Sequence, residues 1–288
     1  MYEVMTELVL PGALVVLMFG LGLSVSILDL QHLLRCPRPL LVGVACHTVC
    51  LPIIAFVLAL VLQLPGPVAI SLIVITACPC GLTSNVLAFI GRADVALSIS
   101  MTAVSSLISI FTTPLVVMLA LDVFHADPRQ LDFGFSFASE KLFLFAVLPA
   151  LAGLTSRLLY PNFSRIVLLW LRPVAFGVLL TTVAYIALMD RQLLVDNVVT
   201  IAPLALLLNL IALMLGLWMG RRFHLGQRQR MTLAIGIGMH NATMATFISI
   251  TVLGRVDYAA APTIYGIVMV LTGLTLIHFA GPKVLRAG

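Results

Sequence analysis

The chain has 288 residues, of which 61% are hydrophobic and 9% charged, with a mean hydropathy of +1.17. Soluble domains carry roughly a quarter charged residues, so this composition excludes a soluble globular fold and leaves a multi-pass, all-α membrane protein with the lipid bilayer as its solvent. The net charge of +5 is carried by short loops and forms no basic patch of the kind that binds nucleic acid, so no nucleic-acid partner is expected.

Residues Met1–Glu7 carry Glu3 and Glu7 and no Lys or Arg, the wrong charge for the start of a signal peptide, so the apolar run that follows is expected to be retained. Segments of about 20 apolar residues predict nine transmembrane helices: 8–28, 39–62, 67–91, 94–121, 140–160, 173–190, 194–219, 229–253 and 258–281. Between the fifth and sixth, Tyr160 to Arg172 mixes arginines with Trp170 and reads as an interfacial helix. Alternate loops divide the 16 Lys and Arg as twelve against four, the four being Arg129, Lys141, Arg191 and Arg255. By the positive-inside rule the C-terminus is cytoplasmic and the N-terminus outside, in a plasma membrane of the bacterial inner-membrane kind.

Two of the spans are interrupted by polar motifs. The third holds Cys78-Pro79-Cys80-Gly81-Leu82-Thr83-Ser84-Asn85 and the eighth holds Gly236-Ile237-Gly238-Met239-His240-Asn241-Ala242-Thr243. Backbone groups freed by a break cannot face lipid, so such segments line a cavity or bury in protein. A pair of interrupted spans in two halves of a chain marks a transporter's binding site.

The fourth span carries Ser98, Thr102, Ser105, Ser109 and Thr112 at steps of four, three, four and three, which puts them on one helix face. That face wants either a wet cavity or close helix packing with back-bonding to its own carbonyls. Pro114 is expected to kink the same helix. The ionisable side chains at membrane depth are His47, His240 and His278; such groups are functional candidates, and His240 stands out because it lies inside a break. Cys36, Cys46, Cys50, Cys78 and Cys80 sit mostly in apolar runs without metal-ligand spacing, so neither a disulfide framework nor a zinc site is expected. No His-Glu-x-x-His, mid-span carboxylate pair or Gly-x-Ser-x-Gly occurs, which argues against an enzyme.

Cys78-Pro-Cys-Gly-Leu-Thr-Ser-Asn85, Gly91-Arg-Ala-Asp94-Val-Ala-Leu-Ser98-Ile-Ser-Met-Thr102 and Thr113-Pro-Leu115, with Gly238-Met-His-Asn241 and Pro52, resemble the bile acid/sodium symporter family over nearly the whole chain. The resemblance implies two inverted five-helix repeats, with this chain lacking the family's first helix. It implies a panel (8–28, 140–160 and 173–190) and a core (39–121 and 194–281) whose two broken helices cross.

Position by position, the resemblance places one sodium site on Ser84, Asn85, Ser98 and Thr102. The family's glutamate serving both sodium ions falls on Gly236, and two glutamines of the second sodium site fall on His47 and His240. A cation in a low-dielectric site wants a carboxylate and hard oxygen donors, so the coupling ion is open between sodium and a proton taken up by His47 and His240. No cofactor is expected. Half-helices beginning near Thr83 and His240 would turn their positive ends toward the cavity, which suits an anion. Thr83, His240, Asn241 and Thr243 are the expected substrate contacts. Leu82 replaces a threonine of the family motif and favours an organic anion with a hydrophobic body. The alternatives are a sodium-independent uniporter or exchanger, an arsenite-type efflux carrier using Cys78 or Cys80, and a passive channel or sensor on the same fold.

Overall fold

A computed structural model of the chain describes residues 10–24, 37–124, 140–170 apart from 142, 165 and 169, and 191–286. The described residues are helical, joined by short turns, with one isolated antiparallel bridge and no strand. We number the helices α1 Leu10–Ser24, α2 Pro37–Val61, α3 Gly66–Ala77, α4 Leu82–Ile90, α5 Val95–Val123, α6 Phe143–Leu159, α7 Arg191–Arg222, α8 Gln227–Gly238, α9 Ala242–Val252 and α10 Ala260–Arg286. Among the described residues, Pro37–Val61, Val198–Arg222 and Val256–Phe279 are each long and apolar enough to cross a membrane, and the bent α5 makes a fourth if counted as one span.

The two interrupted spans are each two helices, α3 with α4 and α8 with α9, separated at the predicted motifs. Of the other predictions, the sixth span, 173–190, lies outside the described residues. The interfacial segment is helical at 161–164, and Trp170 beyond it is 74% exposed.

Local chemistry explains two of the three widened turns; the third, Ile248–Val252 of α9, has no proline behind it. The turn Cys46–Cys50 of α2 and the turn Phe143–Val147 of α6 are both widened to π geometry, and Pro52 and Pro149 follow two residues after their ends. A proline lacks the N–H for the i→i−4 bond and its ring crowds the carbonyl four residues back, so the turn before it opens. In α2 this turn carries His47 into the protein interior, where it is 1% exposed. Pro114 acts likewise on α5, which bends by 59° between Val95–Ser109 and Phe111–Val123, the turn that holds the carbonyl four residues before it.

Residues Val68–Ala77 of α3 and Met231–Gly238 of α8 are buried on every side, which is why their sequences are apolar all round rather than striped. These two half-helices form the centre of the described structure. Close backbone approach is made by small residues: Gly216 of α7 against Ala234 of α8, and Gly22 of α1 and Gly153 of α6 against the backbones of Ala150 and Phe19.

Candidate functional site

The two breaks meet. Cys80 and His240 face each other as an antiparallel pair, flanked by Gly81 N donating to Met239 O at 3.1 Å and Asn241 N donating to Pro79 O at 2.8 Å. Two unwound segments thus satisfy each other's backbone inside the bundle, as lipid-depth backbone requires. Pro79 has no N–H and so needs no acceptor there. Gly81 is required by proximity: a Cβ at this position would stand 2.6 Å from His240 O.

Side chains cap the carbonyls that the breaks release. Thr113 Oγ1 donates to Ala77 O at 2.6 Å, Cys80 Sγ to Gly236 O at 3.1 Å, and Asn209 Nδ2 to Gly238 O at 2.8 Å. Thr113→Val keeps the shape and removes the donor, so it is expected to destabilise by about 1 kcal/mol, measured as a lower thermal unfolding midpoint in detergent.

Cys78 O has two partners, His47 Nε2 at 3.1 Å and His240 Nδ1 at 3.2 Å. A carbonyl only accepts, so both imidazoles donate to it, and this sets their tautomers. The remaining nitrogens, His47 Nδ1 and His240 Nε2, are lone-pair acceptors, buried and without a hydrogen-bond partner. The rings stack with centroids 4.6 Å apart and planes 24° apart. A buried acceptor left unmet costs about 1–3 kcal/mol. A proton or a donor group reaching either nitrogen removes that cost.

A second cluster lies on α4 and α5. Asn85 Oδ1 accepts from Ser98 Oγ at 2.7 Å and from Thr102 Oγ1 at 3.3 Å, and Ser84 Oγ lies 3.4 Å from Thr102 Oγ1. The four residues singled out in the sequence are therefore brought together, Ser84 through Thr102 while its own hydroxyl donates to Gly81 O at 2.7 Å, and Asn85 Nδ2 is buried without a partner. All four oxygens are neutral.

Met101 takes the room that a side chain at 236 would need. A Cβ on Gly236 would stand 2.7 Å from Met101 Cε, and Gly43 on α2 faces the same methyl at the same distance. The thioether, 0% exposed, fills this place with a neutral group. The oxygen cluster thus fits sodium in its donor atoms and lacks the charge, while the imidazole pair offers nitrogen lone pairs that suit a hard cation poorly.

The polar stripe of α5 divides into two roles. Ser98 and Thr102 turn to Asn85, and Ser105 Oγ accepts from Cys80 N at 3.2 Å at the crossing. Ser109 and Thr112 only back-bond to Ser106 O and Ile108 O, the close-packing role.

The expected substrate contacts also separate. Thr83 Oγ1, in the first turn of α4, is buried without a partner, and the N-cap position Gly81 supplies no side chain. Asn241, by contrast, is the N-cap of α9, its Oδ1 accepting from Met244 N at 3.0 Å. That corrects the symmetric picture of two open helix starts: α4 begins at Leu82 with an uncapped end, and the start of α9 at Ala242 is already satisfied on one donor. Thr243 is buried at 5% exposure and His278 is exposed beside Phe279. No group of three or more His, Cys, Asp or Glu side chains fit to hold a metal ion occurs among the described residues. Asn209, Tyr265, Met101 and the capping role of Thr113 were not visible in the sequence pattern.

The model of the sodium bile acid symporter family matches residues 11–197. The chain is 28% identical over 228 residues to the uncharacterized sodium-dependent transporter YocS of Bacillus subtilis (strain 168), covering 79% of this chain and 69% of that protein. It is 26% identical over 267 residues to the human sodium-dependent organic anion transporter, covering 91% and 69% respectively. To the probable sodium/metabolite cotransporter BASS2, chloroplastic, of Oryza sativa subsp. japonica it is 30% identical over 232 residues, 79% of this chain and 53% of that one, so the match spans about half of the plant protein. The family match covers well over half of the chain and includes the first break, the oxygen cluster and His47; the chain belongs to the sodium bile acid symporter family, whose members are membrane transporters and not enzymes.

Proposed function

We propose that this protein is a secondary active transporter of an organic anion, working by alternating access and coupled to protons through His47 and His240. The observation that carries the reading is the carbonyl of Cys78 shared by two stacked imidazoles, each left with a buried, unmet acceptor nitrogen. In the proposed cycle, a core of the spans in 39–121 and 194–281 moves against a panel of 8–28, 140–160 and 173–190, built as inverted repeats. Nine spans put the N-terminus outside and the C-terminus in the cytoplasm of a bacterial inner membrane.

The cargo's acidic group sits at the start of α4. The backbone dipole there favours negative charge, and Thr83 Oγ1 has a free hydrogen to give. Leu82 beside it turns the pocket toward a cargo with an apolar body. Asn241 and Thr243 line the other half. A protonated imidazole and an anion in one low-dielectric space stabilise each other, so proton and cargo bind cooperatively, which is the thermodynamic requirement for symport.

A second reading, sodium coupling, is favoured by one specific observation, the assembly of Ser98 and Thr102 on the Asn85 amide oxygen with Ser84 beside Thr102. Uptake of a radiolabelled organic-anion panel into proteoliposomes, with proton and sodium gradients imposed separately, decides between the two. Accumulation under the proton gradient alone supports the first reading. Accumulation under sodium alone overturns it, and exchange without accumulation under either gradient marks a uniporter or exchanger.

The missing carboxylate gives a sharper test. Gly236→Glu alone is expected to confer no sodium dependence: Met101 Cε already stands 2.7 Å from a Cβ at this position, and while the thioether can yield to one methyl, a carboxylate and its stem need the whole space that Met101 fills. Gly236→Glu with Met101→Ala opens the space and brings an anion to the oxygen cluster. In the double variant an inward sodium gradient is expected to stimulate uptake about tenfold, the effect of about 1.4 kcal/mol of added cation affinity. Equal sodium responses in the parent and the double variant would show that the carboxylate position does not govern ion choice.

A further inference from the structure

The second break is held by a buried polar cluster with no part in the coupling chemistry described above. In an unbroken helix Gly238 O would accept from the amide four residues on; the break at Met239 leaves it free. Two spanning helices supply replacement donors. Asn209 of α7 gives Nδ2 at 2.8 Å and Tyr265 of α10 gives its hydroxyl at 3.1 Å. Asn209 Nδ2 also reaches Tyr265 OH at 3.0 Å, and Asn209 Oδ1 accepts from Thr272 Oγ1 at 2.6 Å. Asn209 and Tyr265 are both 0% exposed.

The cluster also touches the proposed coupling residue. The Tyr265 ring meets the His240 ring edge-on, with centroids 5.6 Å apart and planes at 67°. Asn209 is a polar side chain in the middle of an apolar span, expensive there unless its groups are met. Its amide is met on both sides, by a carbonyl of the break and by a hydroxyl of α10. The Thr272 hydroxyl also lies 2.9 Å from Val268 O and 3.0 Å from Met269 O; it has one hydrogen to give, and the shortest of its contacts is the 2.6 Å one to Asn209 Oδ1.

We propose that Asn209 and Tyr265 form the positioning pair of the second break, holding the carbonyl of Gly238 and the plane of His240 so that the crossing keeps its geometry while the protein changes state. The proposal assigns them no contact with cargo or ion. It rests on the transport reading only for its effect on uptake; its effect on the crossing is independent of that reading.

The logic of a shared carbonyl dictates the test. Asn209→Leu or Tyr265→Phe removes one donor and leaves Gly238 O with the other, whereas the double variant orphans it. The rate of N-ethylmaleimide alkylation of the native Cys78 and Cys80, read by peptide mass spectrometry in detergent micelles, reports opening of the crossing. Each single variant is expected to raise it by about threefold or less and the double variant by about a hundredfold, more than the product of the singles, since a buried orphaned carbonyl favours opening. In proteoliposomes the double variant is expected to raise the KM for cargo about tenfold. Should Asn209→Leu not fold, Asn209→Ala takes its place in the same cycle.

Singles whose effects simply multiply, or a double variant that alkylates like the parent, would overturn the proposal. Synergistic alkylation with no uptake by the parent under any gradient would leave the positioning pair standing and sink the transport reading. Uptake by the parent with flat alkylation does the reverse.

Discussion

His240→Gln is expected to abolish proton-driven accumulation while leaving cargo exchange in place. Glutamine can still donate an amide hydrogen to Cys78 O, the bond that His240 Nδ1 makes at 3.2 Å, so the crossing keeps its cap. What disappears is the second nitrogen, Nε2, whose lone pair is buried and unmet. An amide oxygen in its place does not take up a proton in any physiological range. With one proton carried per cargo and the membrane potential clamped, a gradient of one pH unit sustains about tenfold accumulation, because each unit is worth about 1.4 kcal/mol. The variant is expected to bring the ratio to about one, with counterflow of labelled against unlabelled cargo still measurable. His47→Gln is expected to do the same, and the double variant to be no worse than either, since both rings serve one carbonyl and act as a unit. Undiminished accumulation in His240→Gln would remove the imidazole from the coupling mechanism.

Much of this site was open to reading in the sequence because membrane depth penalises polar backbone. A run such as Cys78-Pro79-Cys80-Gly81 inside an apolar span has few physical solutions, and a cavity-lining break is the main one. Both breaks fall where the motifs put them. The contact among Ser84, Asn85, Ser98 and Thr102 came from resemblance and helical spacing together, and the family match bears the resemblance out.

Other features were out of reach for physical reasons. Periodicity puts Ser98, Thr102, Ser109 and Thr112 on one face and carries no information about what that face meets. Only the 59° bend and the position of α4 decide that the first two turn to Asn85 and the last two back-bond. Asn209 and Tyr265 are single polar residues in apolar helices, and nothing in their own segments says that a carbonyl on α8 lies opposite. Met101 reads as an ordinary apolar residue, and its role appears only once Gly43 and Gly236 are seen to face the same methyl. The capping of α9 by Asn241 is legible in principle, since asparagine is a favoured N-cap. The competing role as substrate contact hid it.

Gly81→Ala is expected to be the most damaging small substitution in the crossing. The added methyl would stand 2.6 Å from His240 O and 3.1 Å from His240 C, both backbone atoms of the facing segment. Backbone cannot swing aside as a side-chain end can, so the two strands of the crossing must separate. Separation lengthens Gly81 N to Met239 O and Asn241 N to Pro79 O, now 3.1 and 2.8 Å, in a place with no water to replace them. Overpacking of a close-packed interior costs about 1–3 kcal/mol, and each weakened buried hydrogen bond adds about 1 kcal/mol. The variant is expected to lose uptake at least about tenfold, to unfold at a lower temperature, and to expose Cys80 to alkylation. Gly236→Ala is the control that isolates the cause: its methyl also meets an atom at 2.7 Å, but that atom is the terminal Cε of Met101. A flexible thioether can yield at small cost, so Gly236→Ala is expected to stay within about threefold of the parent in uptake. Equal losses in the two variants would mean that crowding anywhere near the break is harmful. A large loss in Gly81→Ala alone assigns it to the backbone-to-backbone contact at which the two half-helix pairs are joined.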